Sequence, residues 1–148
     1  MQIIVDTREK YPWGFESTSA SIISQKLDTG DYTIEGMENL LCIERKRTVA
    51  ELAGNITKAR FKDELERMAE FKYKFLILEF DYRHIDDFPE GSEIPKRIRY
   101  KLKVKGPFII RFLSNIMCQY NIHVLPCGNT QYAEYVAYGI MKEIYNRR

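Results

Sequence analysis

The chain has 148 residues, of which 45% are hydrophobic and 30% charged, and this length predicts one domain, residues 1–148, with a proper core. A formal net charge of +2 permits an anionic partner without requiring one, and the charged residues in "MQIIVDTREK" argue against a signal peptide. The apolar runs are too short to span a bilayer, and the three cysteines lack the paired spacing of a zinc site or disulfide framework, so we expect reduced, buried thiols in a cytoplasmic protein without membrane contact.

The first half of the chain is predicted to contain strands and one helix. The β-branched run "QIIV" predicts a buried strand that ends at Asp6, and "ESTSASIISQKL" predicts a helix with Ile22, Ile23 and Leu27 facing inward. Next, "DYTI" and "NLLCIERK" predict the two strands of a hairpin around the turn "EGMEN".

The second half continues this alternation. Thr48 to Glu51 is a capping-box pattern that opens a helix, and "KARFKDELERMAEF" predicts another with its apolar residues inward. "KFLILEF", apolar on both faces, predicts a central strand, followed by a helix in "PFIIRFLSNIMCQY" and a last strand in "IHVLPC". A last helix is expected to bury Tyr132, Val136, Ile140 and Ile144. This order predicts an α/β fold with a central mixed β-sheet flanked by helices.

The hairpin carries an unusual set of charges for strands that enter a core. Residues two apart on a strand share a face, so Glu44 and Lys46 point to one side and Arg45 to the other. A register that opposes Asp31 and Glu44 brings two carboxylates and an ammonium together, and Asp6, at the end of the first strand, is a candidate for the same edge. Opposed carboxylates repel each other, and Mg²⁺ between them reverses that repulsion. A solvated ion pair at a strand end is the alternative for the same residues.

Several linked motifs, in order, resemble the XPF-type structure-specific endonucleases, whose nuclease domain belongs to the restriction-endonuclease-like superfamily. The resemblance rests on "VDTRE", "LDTGDY", "CIERK", "ELAGNITKARFKDELERM" and "FLILEFD", and covers nearly the whole chain. It implies a three-layer α/β/α fold and the hydrolysis of DNA phosphodiester bonds by metal-activated water. It further implies branched, flapped or forked DNA as substrate, and a role in DNA repair and recombination.

Carried across by position, the resemblance implies a set of site residues. The implied catalytic residues are Asp6, Arg8, Asp31, Glu44, Arg45 and Lys46, with Glu9 completing the motif "RE". Asp31 and Glu44, with Asp6 at or near them, are the implied ligands of Mg²⁺, for which Mn²⁺ can substitute. Lys46 is expected to orient the attacking water and to stabilise the developing negative charge.

The chain departs from the family's pattern at two points. The family commonly has an Asp four positions after the lysine of "ERK", where this chain has Ala50; Glu51 either replaces that acid or completes the helix cap with Thr48. Cellular members add a helix-hairpin-helix domain or a helicase, which this sequence lacks, so the chain resembles the stand-alone form of phage and bacterial genomes.

Basic residues outside the hairpin predict contact with DNA. "IPKRIRYKLKVK" clusters them in alternation with apolar residues, so that one side is expected to pack, and "NITKARFK" places two more beside the hairpin site. The predicted DNA-binding residues are Lys58, Arg60, Lys96, Arg97, Arg99, Lys101, Lys103 and Lys105. Ordinary solvated surface charge is the alternative for both clusters.

Other functions stay open for the same fold. They are a catalytically inactive DNA-binding or scaffold module, and a resolvase or restriction-type nuclease. Tyr11 and Trp13 either stack on an unpaired base or, as we favour, plug the core. Besides DNA, the expected partner is a second copy of the chain bound through the C-terminal helices, where tyrosines lie on several sides.

Overall fold

A mixed sheet of six strands forms the middle layer of the computed structural model, which describes residues 1–148. The strands are β1 (Gln2–Val5), β2 (Ser21–Ser24), β3 (Tyr32–Ile34), β4 (Leu41–Lys46), β5 (Tyr73–Leu78) and β6 (His123–Pro126). Their order is β2-β1-β3-β4-β5-β6; β3 runs antiparallel to β1 and β4, and the other neighbours are parallel.

Helices cover both faces of this sheet. They are α1 (Val49–Ile56), α2 (Ala59–Met68), α3 (Tyr82–Asp87), α4 (Gly106–Tyr120) and α5 (Thr130–Asn146), with a 3₁₀ helix over Lys96–Lys101. The first four pack on one face over a core that includes Cys42, Leu76 and Leu78, whereas α5 packs on the other face over Ile43 and Ile77. The predicted three-layer arrangement with a central mixed sheet is therefore confirmed. No helix has both the length and the apolarity needed to cross a membrane.

Strand β5 is central, as predicted from its apolar pattern. It pairs with β4 on one side and β6 on the other. Its alternate residues belong to the two different cores, with Leu76 and Leu78 in one and Ile77 in the other. A strand buried on both faces needs apolar residues at every position, which explains why "KFLILEF" lacks a polar face.

The predicted helix over "ESTSASIISQKL" is wrong. This segment forms β2, which pairs in parallel with β1 and places Ser21 opposite Gln2 at the edge of the sheet. Ile22 and Ile23 face solvent or the sheet margin, and only Leu27 is buried, from the loop that follows. Two adjacent β-branched residues favour a strand, and the free edge of β1 supplies the backbone hydrogen bonds that this short strand needs.

The buried stripe of α5 also differs from the predicted one. Tyr132 is exposed, Val136 and Ile140 are half-buried, and Ile144 alone of the predicted set is buried. The residues facing the sheet are Ala133, Ala137, Met141 and Ile144. Small side chains in this stripe let the helix approach the sheet closely, and they leave the larger residues of α5 on its flank and outer side.

Two further expectations are corrected in part. Of the cysteines, Cys42 is buried but Cys118 is exposed. In the basic segment, the predicted alternation does not hold, because Ile98 and Tyr100 are exposed on the 3₁₀ helix. Of the four alternating apolar residues from Ile98 to Val104, only Leu102 and Val104 contact the core, since a 3₁₀ helix repeats every three residues and cannot keep every second residue on one face.

Candidate active site

The β3–β4 hairpin brings the two predicted acids to the same place. Tyr32 is paired with Ile43, and one step outward along this register Asp31 lies opposite Glu44. The backbone N–H of Asp31 donates to the carbonyl of Ile43 over 2.8 Å, and Oδ2 of Asp31 accepts the N–H of Arg45 over 2.8 Å. The pairing of Tyr32 with Ile43 is the one that the predicted register requires next to Asp31 and Glu44.

Gly30 allows the chain to enter this pairing. Its φ of +84° lies in the left-handed region, and a Cβ there would come within 2.5 Å of the Sγ of Cys42. A side chain would therefore be strained by both backbone and contact, and glycine avoids both. The close approach of Gly30 to β4 fixes where the Asp31 carboxylate stands.

Glu44 and Lys46 lie on the face covered by α1 and α2, and both are buried. The Nζ of Lys46 is 3.1 Å from Oε1 of Glu44 and 3.8 Å from Oε1 of Glu51, and it stands 4.9 Å from the centroid of the Phe61 ring. Glu44 is only 4% exposed, so water does not reach its other oxygen, Oε2. This oxygen has no hydrogen-bond partner within the protein. An acceptor-only oxygen in that position is costly unless a cation or a proton meets it.

The electrostatics of the pair agree with this geometry. Burial, together with the negative charge of Glu9, raises the pKa of Asp31 to about 7. Burial and the charge of Asp31 raise the pKa of Glu44 well above its usual range. Burial lowers the pKa of Lys46, but the charge and hydrogen bond of Glu44, together with the charges of Glu51 and Asp31, outweigh it and leave this pKa above the ordinary value. One ammonium therefore compensates the two carboxylates incompletely.

A divalent cation fits this donor set. Two opposed carboxylates and an unpartnered buried oxygen supply the hard oxygen ligands that Mg²⁺ prefers. No three His, Cys, Asp or Glu side chains are arranged to enclose a metal ion by themselves. A cation held here would therefore keep water or phosphate oxygens around it, as Mg²⁺ commonly does.

A polar cleft opens onto these groups. Its lining contains one hydrophobic residue, Phe61, among thirteen residues. Both signs of charge are represented: the lining residues are Asp6, Arg8, Glu9, Asp28, Gly30, Asp31, Lys46, Asn55, Lys58, Arg60, Phe61, Glu64 and Arg67. Lys58 and Arg60 are exposed on its rim and form no salt bridge, so their charges are free to meet an anion.

Asp6 and Arg8 line the cleft but contact each other. Oδ2 of Asp6 accepts the Nε of Arg8 over 2.8 Å, and Oδ1 accepts the backbone N–H of Leu27 over 2.8 Å. Burial raises the pKa of Asp6, but these hydrogen bonds outweigh burial and leave it below the usual range. Both oxygens of Asp6 thus have donors from the protein, whereas Glu44 has a free one. The metal role of Asp6 and the catalytic role of Arg8 stay predictions.

Arg45 lies on the opposite face of the sheet, as strand alternation predicts. Its Nε donates to Oε2 of Glu79 over 2.7 Å, and its Nη1 donates to Glu9, to Tyr32 and to the carbonyl of Tyr11. Burial lowers the pKa of Arg45, but the hydrogen bond with Glu79, together with the charges of Tyr32, Glu79 and Glu9, outweighs it and leaves this pKa raised.

Trp13 completes this network. Its indole N–H donates to Glu79 over 2.8 Å, its ring stacks on Tyr32 with centroids 4.5 Å apart, and it is buried. The favoured interpretation of Trp13 as a core plug is confirmed, while Tyr11 is exposed. The cluster ties the loop after β1 to β4 and β5 from behind the cleft.

The basic segment from Lys96 to Lys105 does not line the cleft. Arg99 is committed to contacts within the chain: its Nη1 lies 3.0 Å from Oε2 of Glu90, and its Nε donates to the carbonyl of Ile94. The remaining bases of this segment, Lys96, Arg97, Lys101, Lys103 and Lys105, are exposed. Contact of this segment with DNA stays a prediction.

The cleft residues missed from the sequence include Asn55 and Glu64. Asn55 Oδ1 is buried without a partner, and Glu64 is half-buried beside Glu44. Glu64 follows Phe61 by three residues, so the two lie on neighbouring parts of the α2 surface. The ring of Phe61 contacts Lys46, and this spacing is the feature that links Glu64 to the site. In the sequence, Glu64 is one of several acids on the polar side of a helix.

Comparisons with known proteins agree with this arrangement. A family model described as "ERCC4 domain" matches residues 5–138. The structure is similar to that of "XPF from Aeropyrum pernix", with a TM-score of 0.73 and 19% identity over 100% of this chain and 66% of that one. It is also similar to "XPF from Aeropyrum pernix, complex with DNA", with a TM-score of 0.70 and 18% identity over 99% of this chain and 66% of that one.

These similarities show the fold. The chain spans just under two thirds of the length of each of these XPF chains. Its sheet and helices have the restriction-endonuclease-like arrangement of the XPF nuclease domain, as predicted. No curated protein matches this sequence.

Proposed function

Because this chain belongs to the ERCC4 domain family, we propose that it is a DNA endonuclease that hydrolyses phosphodiester bonds with the help of Mg²⁺ or Mn²⁺. The observation that carries this proposal is the pair of half-buried Asp31 and buried Glu44, which lie on adjacent strands of the hairpin with Oε2 of Glu44 unpartnered. Such a pair is unfavourable by itself and favourable around a cation.

Asp31 and Glu44 would hold the cation, and Lys46 would act next to it. The cation, when bound, would lower the pKa of a water and neutralise charge on the phosphate. Lys46 remains protonated because Glu44 lies 3.1 Å away, so its ammonium is available to position an attacking water and to stabilise the negative charge that develops on the phosphate. Burial keeps this ammonium in place before substrate arrives.

Arg45 serves as a positioning residue in this proposal. Its guanidinium is held behind the sheet by Glu79 and Glu9, and its backbone N–H donates to Asp31. The carboxylate of Asp31 is thereby oriented toward the cleft by the strand that carries Glu44 and Lys46. Asp6 and Arg8 brace the loop after β1, at the cleft wall, through their mutual ion pair.

Exposed bases on the cleft rim supply the contact with DNA. Lys58 and Arg60 precede and begin α2 and are free of salt bridges, and counterion release favours phosphate binding at such positions. Replacing either by Ala should weaken binding to all DNAs alike and reduce the salt-dependence slope by about one. The substrate that we propose is branched, flapped or forked DNA, from the resemblance to structure-specific endonucleases.

The test is a cleavage assay with labelled flap, fork, four-way and linear duplex DNAs, with Mg²⁺, Mn²⁺ or a chelator. We expect metal-dependent cutting of the branched DNAs, which Asp31→Asn and Lys46→Ala abolish and the exposed control Asp86→Asn leaves intact. Binding without any metal-dependent cutting would replace this proposal with an inactive scaffold module. Equal cutting of linear duplex would favour a restriction-type enzyme.

We also propose that a second copy of the chain binds along α5. An apolar groove runs between this helix and the start of β5, lined by Phe75, Val136 and Ile140, and Tyr135, which also lines it, is 75% exposed. A two-fold pairing would let Tyr135 of each copy cover the groove of the other, as self-complementary interfaces require. Light scattering over a concentration series should show a dimer that Ile140→Glu converts to monomer, and a wild-type monomer at every concentration would exclude it.

A further inference from the structure

Glu64 differs from the exposed acids of α2 because its side chain is partly enclosed in the cleft. It lies on α2, it lines the same cleft as Asp31 and Lys46, and it is half-buried. It forms no salt bridge, although Arg8 and Arg67 line the same cleft. An acid on a solvated helix face would be exposed instead, as Glu66 is two residues later.

The Glu64 carboxyl faces the buried carboxyl of Glu44. The negative charge of Glu64 acts on both Glu44 and Asp31, so the three side chains are near neighbours. Without a proton, both groups are acceptors only, and Oε2 of Glu44 has no donor. Asp31 and Glu64 thus line the cleft with Glu44 buried beside them, and the buried ammonium next to these carboxyls is that of Lys46.

The position of Glu64 is fixed by the packing of its helix. Phe61, Leu65 and Met68 are buried in the core beneath α2, so the backbone at Glu64 cannot move away from β4 without opening this core. Its side chain can relax only within the cleft. The repulsion among the acids is therefore built into the fold, and a cation is the partner that relieves it.

From this geometry we infer that Glu64 is an outer carboxylate of the metal site, which accepts hydrogen bonds from waters of a divalent cation held by Asp31 and Glu44; this rests on the proposed function. An outer role fits because no three acids enclose a metal directly, and because Mg²⁺ keeps several of its waters. Outer groups of this kind typically change metal affinity by about 10- to 100-fold.

The test is Mn²⁺ binding, measured by calorimetry and by the loss of the free-ion electron paramagnetic resonance signal, without DNA. Glu64→Gln keeps the shape and removes the charge, and we expect it to weaken Mn²⁺ binding by about tenfold. The matched control Glu66→Gln removes the same charge from the exposed side of α2 and should leave the affinity unchanged. Glu64→Asp, which keeps the charge, should recover part of the loss, and circular dichroism verifies that each variant is folded.

The outcomes separate this inference from the function on which it rests. If Asp31→Asn abolishes Mn²⁺ binding while Glu64→Gln binds as tightly as the wild type, the role of Glu64 is refuted and the metal site stands. If Glu64→Gln and Glu66→Gln weaken binding equally, the effect is general charge and the inference is also refuted. A wild-type protein that binds no Mn²⁺ overturns both proposals.

Discussion

Replacing Asp31 by Asn should stabilise the metal-free protein at alkaline pH. Asp31 is forced to ionise opposite the buried Glu44, and burial raises its pKa from 3.8 to about 7. Asn has nearly the same shape, and its side-chain oxygen can still accept the N–H of Arg45, which lies 2.8 Å from Oδ2 in the wild type. The substitution therefore removes the charge and retains the hydrogen bond.

The magnitude and its pH window follow from linkage. Between the unfolded pKa of 3.8 and the folded pKa of about 7, the folded state binds more protons, so the stability of the wild type falls as the pH rises. The difference between these two pKa values corresponds to about 4 kcal/mol of folding free energy. The wild type loses this stability in full only above the folded pKa. At about pH 5 less than half of it is lost, so between about pH 5 and about pH 8 the gap between variant and wild type should widen by roughly 2–3 kcal/mol.

The assay is urea unfolding of wild type, Asp31→Asn and the exposed control Asp86→Asn, in a chelator, at the two pH values. Mg²⁺ should then restore the stability of the wild type at the higher pH and leave Asp31→Asn unchanged, because a ligand that binds only the folded state stabilises it. If Asp31→Asn were less stable than the wild type at the higher pH without metal, or if its advantage were the same at both pH values, the electrostatic account of the hairpin would be refuted.

Three further predictions concern the scaffold around the site. Arg45→Met should lower the free energy of unfolding by roughly 3–5 kcal/mol in chemical denaturation because it strands the buried carboxylate of Glu79, and an unchanged midpoint would contradict the network. Gly30→Ala should lower the free energy of unfolding by about 1–2 kcal/mol because of the φ of +84° alone. Adding Cys42→Ala removes the clash with Sγ and should recover only that part of the lost stability. Full recovery in the double variant would argue against backbone strain. Thr48→Ala removes the acceptor for the Glu51 N–H at the start of α1 and should cost about 1 kcal/mol in thermal melts, whereas Thr48→Ser should be nearly neutral.

The cap at Thr48 also bears on the departure noted in the sequence. The N–H of Glu51 donates to Thr48 over 3.1 Å, as the capping pattern predicts. The same residue places its carboxylate 3.8 Å from Lys46, at 40% side-chain exposure. Glu51 thus caps the helix through its backbone and approaches Lys46 through its side chain, and the two interpretations of this residue are compatible.

Local patterns in the sequence determined the central parts of the fold and of the site. The alternation along β4 put Glu44 and Lys46 on one face and Arg45 on the other, because successive side chains of a strand point to opposite sides. The length of the turn after β3 set the register that opposes Asp31 and Glu44. These features follow from neighbouring residues and a fixed repeat, so they needed no knowledge of the rest of the chain.

Only the tertiary structure decided which distant groups meet these residues. Glu64 reaches Glu44 because α2 packs over β4 on Phe61, and Glu79 reaches Arg45 from β5; neither contact has a periodic signature. Likewise, Ser21–Ser24 became a strand because β1 offered a free edge, although its local pattern also fitted a helix. The physical reason is the same for Glu64, for Glu79 and for the strand Ser21–Ser24. Local propensity leaves several conformations close in energy, and burial and long-range pairing select among them. The contacts that make this selection are not specified by the linear order of residues.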